Sequence, residues 1–326
     1  MNLLALDAAR YEPHALHLSE RIWSETNCYV DLWVELLHSL GLDPLAAAAF
    51  SVSSDFEGDQ WTFFKFPPED LRIIYGVEVS ELNAWKPIVD HVEEHVQLGR
   101  LLTVEVDAWF LPDTQGVSYH IAHQKTTIVP NMVDRHERRL GYFHGPGYFE
   151  LGGDDFDGIF RLGDHADQGV LPPYVEWIRL DRLRTPDVES LARLAADRLR
   201  DHLRRLPSTN PVVRFQHRLE ADLPWLRAAG IEDFHQYAFG TCRQCGSAAE
   251  LAADFVTWLA SANRGDAEKL ARAAGHYRSL AEGAKALQFS LARMARGREM
   301  DTSNLFAQMA DDWDAASSGL VAIYGS

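Results

Sequence analysis

The chain reads as an α+β protein in two parts, a mixed module over residues 1–184 and a helical bundle over residues 185–326. Charge is the first observation: residues 1–184 hold 14 basic and 30 acidic side chains, whereas residues 185–326 hold 17 and 18. Residue type changes at the same place. Upstream lie short β-prone runs broken by Pro and Gly; downstream, Ala, Leu and Arg recur at helical spacing. Third, Thr185-Pro186-Asp187 has the form of a helix start, a capping Thr with Pro at the first helical position. The linker is expected near 180–186. A length of 326 residues agrees, since single cores stop growing at roughly 250–300 residues.

The first helix is expected over 27–40, where Tyr29, Trp33, Leu36, Leu37 and Leu40 recur at three- and four-residue steps before Gly41. Asp43-Pro44 then opens a second helix through the alanines. WTFFKF at 61–66 is a strand candidate, and LRIIYGVEV at 71–79 pairs with it or extends toward the next helix. Trp85 to Leu98 reads as helix. LLTVEVDAWFL at 101–111 is the strongest strand, stopped by Pro112-Asp113, and strands are expected around 119–129, 138–144 and 147–151. One helix followed mainly by strands suggests α+β rather than alternating α/β. The second half predicts helices over 187–206, 211–228, 231–261, 266–297 and 301–322, punctuated by Pro207, Pro211, Gly230 and Gly265.

Composition narrows the function. With 46% hydrophobic and 24% charged residues, the chain has ordinary globular composition and is not a disordered one. A net charge of −17 argues against nucleic acid or an anionic membrane as the main partner. Three cysteines cannot form a disulfide framework, and an odd count fits a reducing compartment. MNLLALDAARYEP lacks the basic lead of a signal peptide, and no apolar run approaches the ~20 residues that span a bilayer. A cytoplasmic protein is expected.

Cys28 opens the first amphipathic helix, where free N–H groups and a partial positive charge favour a thiolate and offer an oxyanion site. Its histidine must come from elsewhere in the chain, and His120 and His123 lie on or beside a strand in SYHIAHQKTTIV. Three apart, they face opposite sides of a regular strand, so only one can address Cys28. A buried, inert Cys28 is the competing reading. Cys242-Arg243-Gln244-Cys245 lacks a second metal-ligand pair, and His91 and His95 read as a solvated helix face. Asp154, Asp155 and Asp157 read as a helix N-terminal charge cluster rather than a calcium loop. Walker, dinucleotide and serine-hydrolase motifs are absent, and no metal is expected. Arg135, His136, Arg138 and Arg139, with Arg198, Arg200, Arg204 and Arg205, are either solvated charges or a dock for an acidic, phosphate-bearing partner.

Asn27-Cys28 opening a helix through Leu36-Leu37-His38-Ser39-Leu40-Gly41 resembles the nucleophile helix of the papain-like cysteine fold. More narrowly it resembles the N-terminal domain of the butirosin-pathway acyltransferase family, which moves acyl groups off carrier-protein thioesters. Val106-Asp107 leading to Leu111-Pro112, then His120 and His123 before a β run, follow the same order. The chain also resembles an uncharacterised bacterial family found beside amino acid:carrier-protein ligases, through GYFHGPGYFEL, DDFDGIFRL and the helical half. The resemblance implies a papain-like module over 1–184, Cys28 as nucleophile and His123 as general base, with His120 as rival. Related folds place Asp or Asn after the histidine strand; here that end carries His144, with Asp134 and Asn131 nearby. Asn27, Asp107 and His120 are then substrate-binding candidates. The implied activity is cysteine-dependent transfer of an aminoacyl group from a carrier protein to an amine or other small acceptor. It needs no cofactor of its own, because the phosphopantetheine arm belongs to the carrier. An intracellular cysteine peptidase or amidase and a non-catalytic binding module are the alternatives.

Overall fold

The computed structural model describes residues 2–17, 21–166 and 169–325. It is a mixed α/β structure that divides into two compact units. The first comprises Met1–Leu18, Asn27–Leu42 and Pro68–Thr185; the second comprises Ser19–Thr26, Asp43–Pro67 and Pro186–Ser326. The chain changes unit at Thr185/Pro186, beside the linker read from sequence. Residues 19–26 and 43–67 cluster with the helices, however, so the division is not a single cut at 184.

Helix α1 (Cys28–Ser39) is buried on nearly every side through Tyr29, Val30, Leu32, Trp33, Val34, Leu36 and Leu37. Such an all-round apolar helix belongs inside a core. Asn27 caps it by accepting from the N–H groups of Tyr29 and Val30, and Gly41 at φ 70° follows its end. The rest of the unit runs α2 (Pro68–Tyr75), β1 (Glu78–Glu81), α3 (Ile88–Gln97), β2 (Arg100–Asp107), β3 (Lys125–Asp134), β4 (Arg139–His144), β5 (Gly147–Gly152), α4 (Asp154–Phe160) and β6 (Val175–Arg179). Among the described residues the strands form one six-stranded antiparallel sheet in the order β1-β6-β2-β3-β4-β5. Leu102, Val104 and Val106 of β2 pack with Val89, Val92 and Val96 of α3 and with Phe156 of α4. A bulge between Pro130 and Met132 holds the buried Asn131 amide, which bonds Asn2, Leu4 and Tyr148.

The second unit holds α5 (Val188–Leu203), α6 (Pro211–Ala229), α7 (Ile231–Ala238), α8 (Gln244–Ser261), α9 (Ala267–Ala295) and α10 (Ser303–Tyr324), with α9 packed against α8 and α10.

Several elements differ from the sequence reading. The alanine run is a 3-10 segment, Pro44–Ser53. Residues 61–66 make no strand; Trp61 forms one isolated bridge with Phe56. The 71–79 run divides between α2 and β1, with Gly76 at φ 70° between them. The expected helix 231–261 is broken by a π turn, Phe239–Arg243. His91 is no part of a solvated face: it is buried, and its Nε2 and the Nδ1 of His95 are buried without a partner among the described residues. No described helix is long and apolar enough to cross a membrane.

Two carboxylates, Asp31 and Glu35, lie one turn apart on α1 and are buried. His17 answers both, with Nδ1 against Glu35 and Nε2 3.3 Å from Asp31. Tyr11 donates to Glu35 at 2.6 Å, and the backbone N–H of His14 donates to it at 3.0 Å. Burial opposes charge on His17, but the hydrogen bonds to Asp31 and Glu35 outweigh it and raise the pKa to about 9. A folded-state value above the unfolded one, ~6.5, means that the pair stabilises fully below that pH. The contribution, on the order of 3 kcal/mol, is lost as pH rises through about 9. We expect His17→Gln to lower the thermal midpoint at pH 6 and the gap to wild type to close by pH 10. A gap constant from pH 6 to pH 10 would contradict the ion pair.

Candidate functional site

Cys28 is the first residue of α1 and is partly buried. Its sulfur lies near the start of β3, where Thr126, Lys125 and Thr127 act on it electrostatically. Burial is the largest influence and raises the thiol pKa, and Asp31 raises it further; Thr126, Lys125 and Thr127 pull the other way. The net direction is upward. The thiolate expected from helix position is therefore corrected to a resting thiol, because the helix end is enclosed and the cap has taken the N–H groups of Tyr29 and Val30.

Thr126 links this thiol to a histidine, but not to either one favoured from sequence. His144, at the end of β4, approaches the Thr126 hydroxyl with Nε2 at 2.8 Å. Its Nδ1 lies 2.5 Å from Asp113 Oδ2, and Tyr142 donates to Asp113 Oδ1 at 2.5 Å. An ionised carboxylate only accepts, so Nδ1 of His144 carries the proton and Nε2 is left to accept from Thr126. The result is a hydrogen-bonded chain Thr126–His144–Asp113 whose Thr126 end acts on Cys28, with the His144 side chain 11% exposed and that of Asp113 6%.

His123 forms a second pair. Residues 118–124 are a turn and coil, and β3 begins only at Lys125, so the argument from opposite strand faces fails. His123 Nδ1 lies 2.5 Å from Asp107 Oδ2, its ring stacks on Trp109 at 4.5 Å, and its side chain is 70% exposed. Asp107 also accepts from the N–H groups of Trp109 and Gln124. His120 has a left-handed backbone at φ 51°, stacks on Tyr119 and lies 3.4 Å from Asp155.

Of the other candidates, Asn27 is the cap of α1, which satisfies its carbonyl without a substrate. Asp134 accepts from the Glu137 N–H, which lowers its pKa, and stands at the far end of β3 from Cys28. The basic clusters are mostly paired internally: Arg135 with Asp90, Arg138 with Asp157, Arg139 with Glu150, Arg198 and Arg204 with Asp201, and Arg200 with Asp197. Cys242 and Cys245 are buried; burial raises Cys242 to about 12 and puts Cys245 well above its ordinary value. Among the described residues no group of three or more His, Cys, Asp or Glu is arranged to hold a metal. Sequence reasoning missed Asp113, read only as a strand stop, and Thr126, read only as a β former.

A mixed α/β protein with an antiparallel sheet, a helix-borne cysteine and two histidine–carboxylate pairs is thus the class these residues define. The chain belongs to the DUF1839 family: its N-terminal domain model matches residues 12–180 and its C-terminal domain model residues 188–322. No curated protein matches the chain.

The thiols give a direct check. We expect one equivalent of thiol to react in the native protein and three after denaturation. The pH midpoint for alkylation of Cys28 should lie above that of free cysteine, ~8.5, and Thr126→Val should move it higher still by removing the hydroxyl that turns from His144 to donate to the sulfur once it is ionised. A midpoint below that of free cysteine would overturn this description.

Proposed function

We propose that the protein is a cysteine-dependent acyltransferase in which Cys28 takes an aminoacyl group from a carrier-protein thioester, on a papain-like N-terminal module. The observation that carries this reading is the hydrogen-bonded chain Thr126–His144–Asp113 placed beside Cys28. As sulfur attacks the thioester carbon, the Cys28 proton passes to the Thr126 oxygen and the Thr126 proton to His144 Nε2. Asp113 holds the imidazolium that results. The C–S bond to the phosphopantetheine arm then breaks with its electron pair on the pantetheine sulfur, which leaves as a thiolate and takes its proton from solvent. His144 replaces His123 as the base for this half-reaction, and the orienting acid is Asp113 rather than Asp134. With Tyr29 and Val30 N–H groups occupied by the cap, the Cys28 N–H is the helix donor left for the oxyanion.

The direction of the thiol pKa supports one substrate class over the others. A nucleophile that rests protonated and works through a hydroxyl relay suits an activated acyl donor with a thiol leaving group. An amide needs its departing amine protonated and a stronger nucleophile, which weighs against a peptidase. The likeness of the Asn27–Cys28 helix to carrier-dependent acyltransferases supports the same choice, and a carrier-protein donor fits a cytoplasmic setting.

The test is a mass spectrum after mixing with a phosphopantetheinylated carrier protein charged in turn with each proteinogenic amino acid. We expect an aminoacyl adduct on Cys28 that is absent in Cys28→Ala. His144→Ala should slow its formation by at least ~10²-fold, the usual scale for a lost general base, and by more than His123→Ala does. An adduct that persists in Cys28→Ala, or turnover of a peptide library with the thioesters untouched, would exclude this function.

A further inference from the structure

Two adjoining cavities of about 370 and 310 Å³ open at the ends of β2 and β3, and both are lined by Glu105, Val106, Asp107, His123, Arg161 and Pro173. Most of the charges there are satisfied internally. Glu105 accepts from Lys125 at 2.7 Å, and Asp107 is paired with His123. Arg161 is one exception. Its guanidinium donates to the Leu171 carbonyl at 2.7 Å and has no carboxylate partner among the described residues; Arg72, Arg100 and Arg184 of the same unit also lack one, but of these arginines Arg161 alone lines the two cavities.

Arg161 is also held in the left-handed region, at φ 54°, where it ends α4. That conformation costs a side-chain-bearing residue about 1–2 kcal/mol and costs glycine nothing comparable. An arginine at a glycine position, lining both cavities with an unpaired charge, marks a place for an anion. Lining the same two cavities is His123, oriented by Asp107 through Nδ1 and by the Trp109 ring, with Nε2 lacking any partner among the described residues. The larger cavity stands at the low end of the range for small-molecule sites, ~300–1,000 Å³, which suits a ligand of amino-acid size.

We infer that this cavity is the acceptor site, and that the acceptor is a small amine bearing a carboxylate, the carboxylate on Arg161 and the amine toward His123. The assignment of an acceptor rests on the proposed acyl transfer; the binding site itself does not. Lys125 joins the two places, since it lines the larger cavity and acts through charge on Cys28. Glu105 and Asp107 favour the ammonium form on entry. His123 Nε2 takes one proton from it, and the neutral nitrogen attacks the carbonyl carbon of the Cys28 thioester. His123 takes the second as the C–N bond forms, after releasing the first to solvent. The C–S bond breaks with its electron pair on sulfur, and the proton stored on His144 returns through Thr126.

The experiment is calorimetric titration of the intact protein with each proteinogenic amino acid, β-alanine and γ-aminobutyrate, with acetate and ethylamine as single-group controls. At least one amino acid should bind more tightly than either control, and equally in Cys28→Ala, which cannot carry an acyl group. Arg161→Gly should weaken that binding at least tenfold. Glycine accepts the backbone conformation, so the variant should fold with its thermal midpoint unchanged or raised, and Arg161→Lys, which keeps the charge, should bind better than Arg161→Gly. If nothing in the panel binds wild type, or Arg161→Gly binds as wild type does, the acceptor site is wrong. Binding without any Cys28 adduct would leave the site standing and remove the acyl transfer.

Discussion

Helix α1 carries two carboxylates into a region from which nearly all water is excluded, and the placement of Cys28 depends on how those charges are answered. Asp31 and Glu35 meet His17, while Tyr11 and the His14 N–H complete the shell of Glu35. Removing one member of a buried charged group typically costs ~3–5 kcal/mol, so the register of α1 against the N-terminal segment is strongly held. On the sheet side Tyr29 donates to Glu176 at 2.5 Å, and Thr103 and Tyr174 donate to the same carboxylate. A helix pinned on both sides cannot slide, and its first residue is thereby fixed at the start of β3.

That fixation has an electrostatic consequence. A cysteine at an exposed helix end gains from the free N–H groups and the dipole. Here the end is enclosed, the cap consumes two N–H groups, and Asp31 adds its charge one turn away. Desolvation prevails and the thiol rests protonated. Proton removal must then be supplied by a partner within reach, and Thr126 is the group in contact. The two histidines differ for the same reason of enclosure. His144 is buried, oriented by a buried carboxylate, and able to hold a proton away from solvent; His123 is exposed, open to a cavity, and able to exchange protons with what enters there.

Much of the frame was legible because it is written in local patterns. The helix beginning about Cys28, strand β2 and the helical second half follow from spacing and β-prone runs. The rest depends on partners distant in the chain. Nothing local shows that residues 43–67 pack with helices beyond 186, or that alanines after Asp43-Pro44 tighten into a 3-10 segment. The turn at 118–124 was hidden because Ser118 and Tyr119 have ordinary strand preferences, while the left-handed backbone of His120 is imposed by the tertiary structure. Asp113 was hidden for another reason. Its meaning lies in being 2.5 Å from His144, thirty-one residues away, and only the sheet brings the two together.

Charge pairing finally decides what kind of ligand each surface can hold. The arginines that looked like a docking patch for an acidic partner are already opposite Asp90, Asp157, Glu150, Asp197 and Asp201. An incoming anion would have to displace an internal carboxylate at each of these places, trading one exposed ion pair for another worth no more than ~1 kcal/mol. At Arg161 no carboxylate among the described residues has to leave; its side chain donates to the Leu171 carbonyl, and its backbone N–H bonds the carbonyls that end α4. In a chain of net charge −17, an unpaired cation beside an oriented histidine is where an anionic small molecule gains most for the least displacement. At the inferred acceptor site, selectivity would come from where positive charge is left over rather than from where it is dense.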